Sequence, residues 1–166
     1  MEGAMTEQEL ALHRYFLQEA MNLARENIAT GRGGPFGAVV VKNGEIIARA
    51  CNEVLGTQDP TMHAEVNAIR QACKKLNHFE LKDCVIYSSC EPCPMCLGAI
   101  YWARPKALYF AADRHCAARH GFDDRFIYEQ ITTTPSERKI LTVRISMPGE
   151  EKPFVAWDDK IDKVQY

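Results

Sequence analysis

Residues 88–100, SSCEPCPMCLGAI, set three cysteines at a spacing of three: Cys90, Cys93 and Cys96. Pro94 suits a first helical turn, so a helix starts here and ends by Arg104, just before Pro105. On that helix Cys93 and Cys96 share one face. Thiolates are favoured there by the partial positive charge and free N–H groups of a helix N-terminus. Cys90 sits ahead of the turn rather than on that face, which favours a packing role for it. CVIYS (84–88) before the helix and KALYFAA (106–112) after it read as short apolar strands.

Working outward, PTMHAEV places His63 and Glu65 at the start of a second helix that runs through AEVNAIRQACKKL. AVVVK, Asn43-Gly44 and EIIARAC read as a β-hairpin with a tight turn. GRGGPFG (31–37) and GTQDPT (56–61) are loops. Thr6 and Glu9 form a capping box, after which Leu10, Leu17, Ala20, Met21, Ala24 and Ile28 recur at helical spacing until Gly31. The order β-β-α-β-α-β predicts a mixed sheet with helices on its faces. KILTVRISM (139–147) is expected to add a strand, GFDDRFIYEQI to be loop and helix, and the tail EEKPFVAWDDKIDKVQY to be partly helical. The leading MEGAM carries no legible role.

A length of 166 residues and no linker-like stretch suggest one domain over 1–166. A formal net charge of −2 gives no electrostatic reason to expect a large polyanionic partner. No apolar run approaches the ~20 residues of a membrane span. MEGAMTEQEL lacks the features of a signal peptide, so a cytoplasmic location is expected and no membrane partner. The seven cysteines are odd in number, which favours metal binding or free thiols over a disulfide framework. Cys51, Cys73 and Cys84 lie in apolar segments and read as small buried hydrophobes.

His63, Cys93 and Cys96 stand at successive helix starts, so they can meet at one point. Three protein ligands leave a fourth tetrahedral position for water, the pattern of a catalytic zinc site. Zinc lowers the pKa of such a water to about 7. Glu65, two residues from His63, is placed to exchange protons beside the metal. Two other readings stand beside this one. CxxCxxC can begin an iron–sulfur site, although the usual CxxxCP continuation is absent. Cys90 can close a Cys3His structural site.

HxE followed by PCxxC is the signature of the zinc nucleobase deaminases, with Glu as general acid and base. The chain carries it as HAEVNAI and CEPCPMC, and resembles the cytidine-deaminase-like superfamily from GGPFGAVVV to about YFAADR, residues 33–114. HAEVNAIRQACK, SSCEPCPMCLGAIYWARPKALYFAA and GFDDRFIYEQI are similar to the small bacterial guanine deaminases, a likeness that reaches Tyr166.

That resemblance implies a three-layer α/β/α fold with a central mixed five-stranded sheet, and one zinc per subunit. It implies hydrolysis of guanine to xanthine and ammonia by zinc-activated water, with Glu65 as proton shuttle. Asn52 would read the base edge, Asp124 would face N1 or the departing amine and help move protons, and Ala64 would supply backbone contacts. Phe36 and Trp102 would sandwich the base. The resemblance also implies a homodimer whose C-terminal segment, about 150–166, is exchanged, bringing Tyr166 to the partner's site.

Two rivals are set against it. A tRNA adenosine deaminase needs basic residues to hold a stem-loop. The tail instead sets Glu150, Glu151, Asp158, Asp159 and Asp162 against Lys152, Lys160 and Lys163, so no nucleic-acid partner is expected. A non-catalytic zinc module has no use for Glu65 beside an open position. Guanine, guanosine and aminotriazines are not distinguished by the sequence. His115, Cys116 and His120 are expected to face solvent.

Overall fold

Thr6 starts the first helix, α1 (Glu7–Thr30). Its hydroxyl accepts from the Glu9 backbone N–H and the Glu9 carboxylate accepts from the Thr6 N–H, which is the expected capping box. Gly31 ends the helix in the left-handed region, φ 65°. The buried stripe is Phe16, Ala20, Ala24 and Asn27. This corrects the stripe read from the sequence: Ile28 is 63% exposed, and Leu10 and Met21 also face solvent. An amide replaces an apolar group at the end of the stripe because two carbonyls face it there. The Asn27 Nδ2 donates to the carbonyls of Gly34 and Asn52.

In this computed structural model, which describes residues 5–166, the chain divides into two units. The first ends at Asp124 and the second is Arg125–Tyr166. The first four residues of MEGAM lie outside the described residues. The first unit holds β1 (Gly37–Lys42), β2 (Glu45–Cys51), β3 (Cys84–Cys90) and β4 (Ala107–Ala112) in the order β2-β1-β3-β4. Asn43 and Gly44 join β1 to β2 with φ of 51° and 79°, the positive values that a two-residue hairpin turn requires. β1 is antiparallel to β3, and β3 is parallel to β4 across α4 (Pro94–Ala103).

β1 is covered on both faces, hence its unbroken apolar run. Alternate residues serve two cores. Ala38, Val40 and Ile86 pack with Ala64, Ala68 and Ala72 of α3 (Ala64–Leu76) and with Ile100 of α4. Val39, Val41 and Tyr87 pack with Phe16 of α1. The alanine face of α3 lets the helix lie close on the sheet. Each fully buried large apolar side chain in these cores contributes about 1.5–3 kcal/mol. The first unit is thus three-layered, α/β/α.

The sheet has four strands rather than the expected five. Residues 141–147 take no regular secondary structure, and Ile140 and Leu141 are 79% and 88% exposed. An alternating apolar pattern makes a strand only where a neighbouring strand takes up its backbone hydrogen bonds, and among the described residues this segment has none. A one-turn helix α2 (Val54–Thr57) runs into the start of the loop read at 56–61. Another short helix, α5 (Arg114–Arg119), is capped by the Asp113 side chain, which accepts from Cys116 N–H. The second unit contains α6 (Arg125–Thr132) and α7 (Lys152–Asp159), as its sequence suggested. No described helix is long and apolar enough to cross a membrane.

Candidate active site

His63 is the N-cap of α3 and Cys93 the N-cap of α4. Both have extended backbones, and neither side chain caps its own helix. Both side chains are therefore available to a ligand at two helix N-termini, where negative charge is favoured. Cys96 lies in the first turn of α4 and is fully buried. The His63 Nδ1 is 3.5 Å from Cys93 Sγ and 3.4 Å from Cys96 Sγ, and the three ligand atoms lie within 4.8 Å of one another. A tetrahedral zinc ion about 2.3 Å from sulfur and about 2.05 Å from nitrogen would separate S and N by roughly 3.5 Å. The spacing therefore fits zinc.

The two thiols share charge unequally. A hydrogen bond from Cys96, with another from His63, holds the Cys93 thiol well below the ordinary thiol range. Its bond to Cys93, together with burial, pushes the Cys96 thiol up. A divalent cation held there would stabilise both thiolates and remove that conflict. Cys90 stands apart: it is buried, its Sγ lies 3.8 Å from the Asp113 carbonyl oxygen, and burial pushes its thiol up to about 11. It packs, and no Cys3His cluster forms among the described residues. His115 and His120 are exposed.

Ala64 and Glu65 open α3 and are both buried. One Glu65 oxygen, Oε2, lies 3.5 Å from Cys96 Sγ, and the other, Oε1, accepts from the Ser88 hydroxyl at 3.2 Å. Burial pushes the Glu65 carboxyl up, which makes it a readier proton acceptor beside the metal ligands. The sequence reading missed Ser88. The available signal was the strand period, since Ile86 faces α3 and Ser88, two residues on, must share that face.

Asn52 follows β2 and is buried. Glu53 N–H donates to the Met62 carbonyl at 2.9 Å, so Asn52 and His63 flank one backbone hydrogen bond. The Asn52 Oδ1 accepts from Val54 N–H at 3.2 Å and Gly34 N–H at 3.3 Å. Two backbone donors fix which end of the amide is oxygen, and the NH2 group is left to donate. Gly33 is required alongside, because a Cβ there would lie 2.2 Å from Asn52 Oδ1. The Phe36 carbonyl accepts from Asn52 N–H, and the Phe36 ring meets Phe122 edge-on at 4.9 Å.

Asp124 is half-buried, and its carboxyl is pushed up by burial and by the charge on Cys93, which puts it within electrostatic reach of the ligands. Trp102 is in the last turn of α4, on the order of 13 Å along the axis from Cys93, and is 64% exposed. Tyr166, in the second unit, lies edge-on to Trp157 at 6.4 Å.

The family model of the cytidine and deoxycytidylate deaminase zinc-binding region matches residues 10–112. The guanine deaminase of Bacillus subtilis is 53% identical over 154 residues, covering 93% of this chain and 99% of that protein. Its X-ray structure superposes with a TM-score of 0.91 at 52% identity, over 93% of this chain and 98% of that one. A tRNA-specific adenosine deaminase of Aquifex aeolicus is 43% identical over 98 residues, 59% of this chain and 64% of that protein. The chain belongs to the family of the cytidine and deoxycytidylate deaminase zinc-binding region.

Proposed function

We propose that this protein is a zinc-dependent guanine deaminase, converting guanine and water to xanthine and ammonia. The observation that carries this reading is the extent of the likeness. Similarity to a guanine deaminase spans 93% of the chain, whereas similarity to the tRNA-specific enzyme of Aquifex aeolicus covers 59%. His63, Cys93 and Cys96 would hold zinc, which would supply a water acidified to near neutral pH. Glu65 would take a proton from water as it adds to C2 and pass that proton to ring N3. Glu65 would then carry the second proton to the amine as the C2–N bond breaks, which balances as xanthine plus ammonia. Ser88 holds the carboxylate in place through its hydroxyl.

The Asn52 NH2 group donates to an acceptor on the base, O6 or N7. Phe36 covers one ring face, Ala64 offers backbone contacts, and Asp124 faces N1 or the departing amine. We further propose a homodimer in which about residues 150–166 are exchanged and Tyr166 reaches the partner's base. Trp102 contributes an aromatic face only from such a second subunit. The support is the apolar surface of the second unit, where Ile140, Leu141, Val143, Ile145 and Phe154 are all exposed. So many large exposed apolar side chains in one short segment support an interaction surface there. Thiolate ligands that must stay reduced suit a cytoplasmic location.

The test is release of ammonia and xanthine from guanine by the zinc-loaded protein, beside guanosine, adenine, cytosine, aminotriazines and an adenosine-containing tRNA stem-loop. Faster release from the stem-loop than from guanine would overturn the reading.

A further inference from the structure

Asn27 lies far from the metal ligands in sequence and belongs to none of the motifs. It is 3% exposed and ends the buried stripe of α1. Its NH2 group is fully used. The Nδ2 donates at 2.9 Å to the Gly34 carbonyl and at 2.8 Å to the Asn52 carbonyl, and the single Thr30 hydroxyl proton is shared between the Asn27 carbonyl at 2.7 Å and Oδ1 at 3.0 Å. Thr30 Oγ1 in turn accepts from Arg32 N–H at 3.1 Å. The orientation is forced, since two carbonyls require the NH2 end.

The two carbonyls are not arbitrary neighbours. One belongs to Asn52, whose side-chain NH2 is the group left to donate. The other belongs to Gly34, whose own N–H donates to Asn52 Oδ1. Asn27 therefore reaches Asn52 by two routes, directly through the Asn52 backbone and indirectly through Gly34. Gly34 also leads into Phe36, whose carbonyl accepts from Asn52 N–H. The last turns of α1 thus hold the 33–36 loop and the end of β2 in one register. An apolar residue at 27 would complete the helix stripe but take a donor from the carbonyl of buried Asn52 and one from that of Gly34, which would keep only the Phe36 N–H at 2.9 Å.

We propose that Asn27 is a positioning residue for the deamination: it sets the Asn52 amide and the Phe36 loop against the base. This rests on the functional reading given above, in which Asn52 contacts the substrate. The effect is on placement of the base, so it is read in KM more than in kcat.

The experiment compares zinc-loaded Asn27→Asp, which is isosteric but has no donor, with Asn27→Ser, Asn52→Ala and the double variant Asn27→Asp/Asn52→Ala. Zinc content, kcat and KM for guanine are measured in each. Asn27→Asp should raise KM by about 10–100-fold, the scale of a small misplacement of substrate, with zinc content and kcat near wild type. Asn27→Ser, which keeps a single donor, should fall between. In the Asn52→Ala background the Asn27 change should raise KM by clearly less than it does alone, because one of its two targets is already gone.

An unchanged KM in folded Asn27→Asp, beside a raised KM in Asn52→Ala, overturns the proposal and leaves the functional reading standing. An unchanged KM in Asn52→Ala removes the base contact itself and the proposal with it. Additive effects in the double variant, or failure of both Asn27 variants to fold with zinc, overturn the proposal in favour of a structural tie.

Discussion

Ser88 on β3 donates its hydroxyl to Glu65 on α3 at 3.2 Å, and both residues are buried. The bond fixes one oxygen of the carboxylate while the other faces Cys96 Sγ at 3.5 Å. A hydrogen bond to a charged group contributes about 1.5–3 kcal/mol. Ser88→Ala should therefore keep its zinc and lose about tenfold or more in kcat, since this bond holds the proton carrier rather than the metal. Steady-state kinetics on guanine, with zinc measured on the same sample, checks it. An unchanged kcat would mean that Glu65 holds its place without Ser88.

Glu65→Gln is the complementary change. It preserves size and the Ser88 contact but cannot carry a proton. None of the three metal ligands is altered, so zinc should remain bound in full. Turnover should fall by about 10²–10⁴-fold, the usual worth of general acid–base catalysis, or by more because one residue handles several transfers. Near-normal ammonia release from the zinc-loaded variant would remove Glu65 from the chemistry.

Metal content separates the three cysteines of SSCEPCPMC. Cys93→Ala and Cys96→Ala each remove a ligand atom and should lose most zinc. Cys90→Ala should keep zinc at wild-type content, because its Sγ contacts the Asp113 carbonyl instead. It should lose only some stability through the small cavity it leaves. Equal zinc loss in Cys90→Ala, by elemental analysis, would point to a closed four-ligand site.

The metal centre was legible because its signals are local. Pro94 marks a helix start, and the residue before it becomes the N-cap that carries Cys93. The positions of His63 and Glu65 follow in the same way from the start of α3. Asn43-Gly44 declares its own turn. What sequence did not give depends on neighbours brought from elsewhere. Ser88 meets Glu65 only because β3 lies under α3. Asn27 is buried because two carbonyls from distant segments converge on it, while a purely periodic reading preferred Ile28. The strand expected over KILTVRISM failed for the same reason, since alternation specifies a strand only when an edge is offered to it.

Asn52 gives a prediction about substrate choice. Its oxygen is engaged by Val54 and Gly34 N–H groups, so in the proposed role its NH2 would select a base with an acceptor opposite. Asn52→Asp keeps those backbone contacts and turns the free end into an acceptor. Guanine turnover should fall by about 10–100-fold, because two acceptors then face each other and one desolvated group is left unpaired. Activity on bases carrying a donor at that edge should fall much less. Equal losses across a panel of purines would show that Asn52 does not read the base edge.

The tail is tested by removing residues 153–166. Phe154, Trp157 and Tyr166 are the aromatic members of this otherwise charged segment. Trp157 and Tyr166 meet edge-on at 6.4 Å, and Phe154 is exposed. A terminus stays loose unless something ties it down. Exchange of an identical element between two copies is a low-cost way to tie it. The metal ligands, Glu65 and Ser88 all lie in the first unit, which ends at Asp124, so the truncated chain should retain full zinc. If the proposed exchange holds, it should shift from dimer toward monomer by light scattering and lose most turnover on guanine, because Tyr166 would no longer reach a partner's base. Mixing zinc-loaded Glu65→Gln with the truncated protein sharpens the test. The tail of the first and the intact site of the second then combine in a mixed dimer, and part of the activity should return. A truncated protein that stays dimeric and fully active would deny the tail both roles, and a failure to recover activity on mixing would confine Tyr166 to its own subunit.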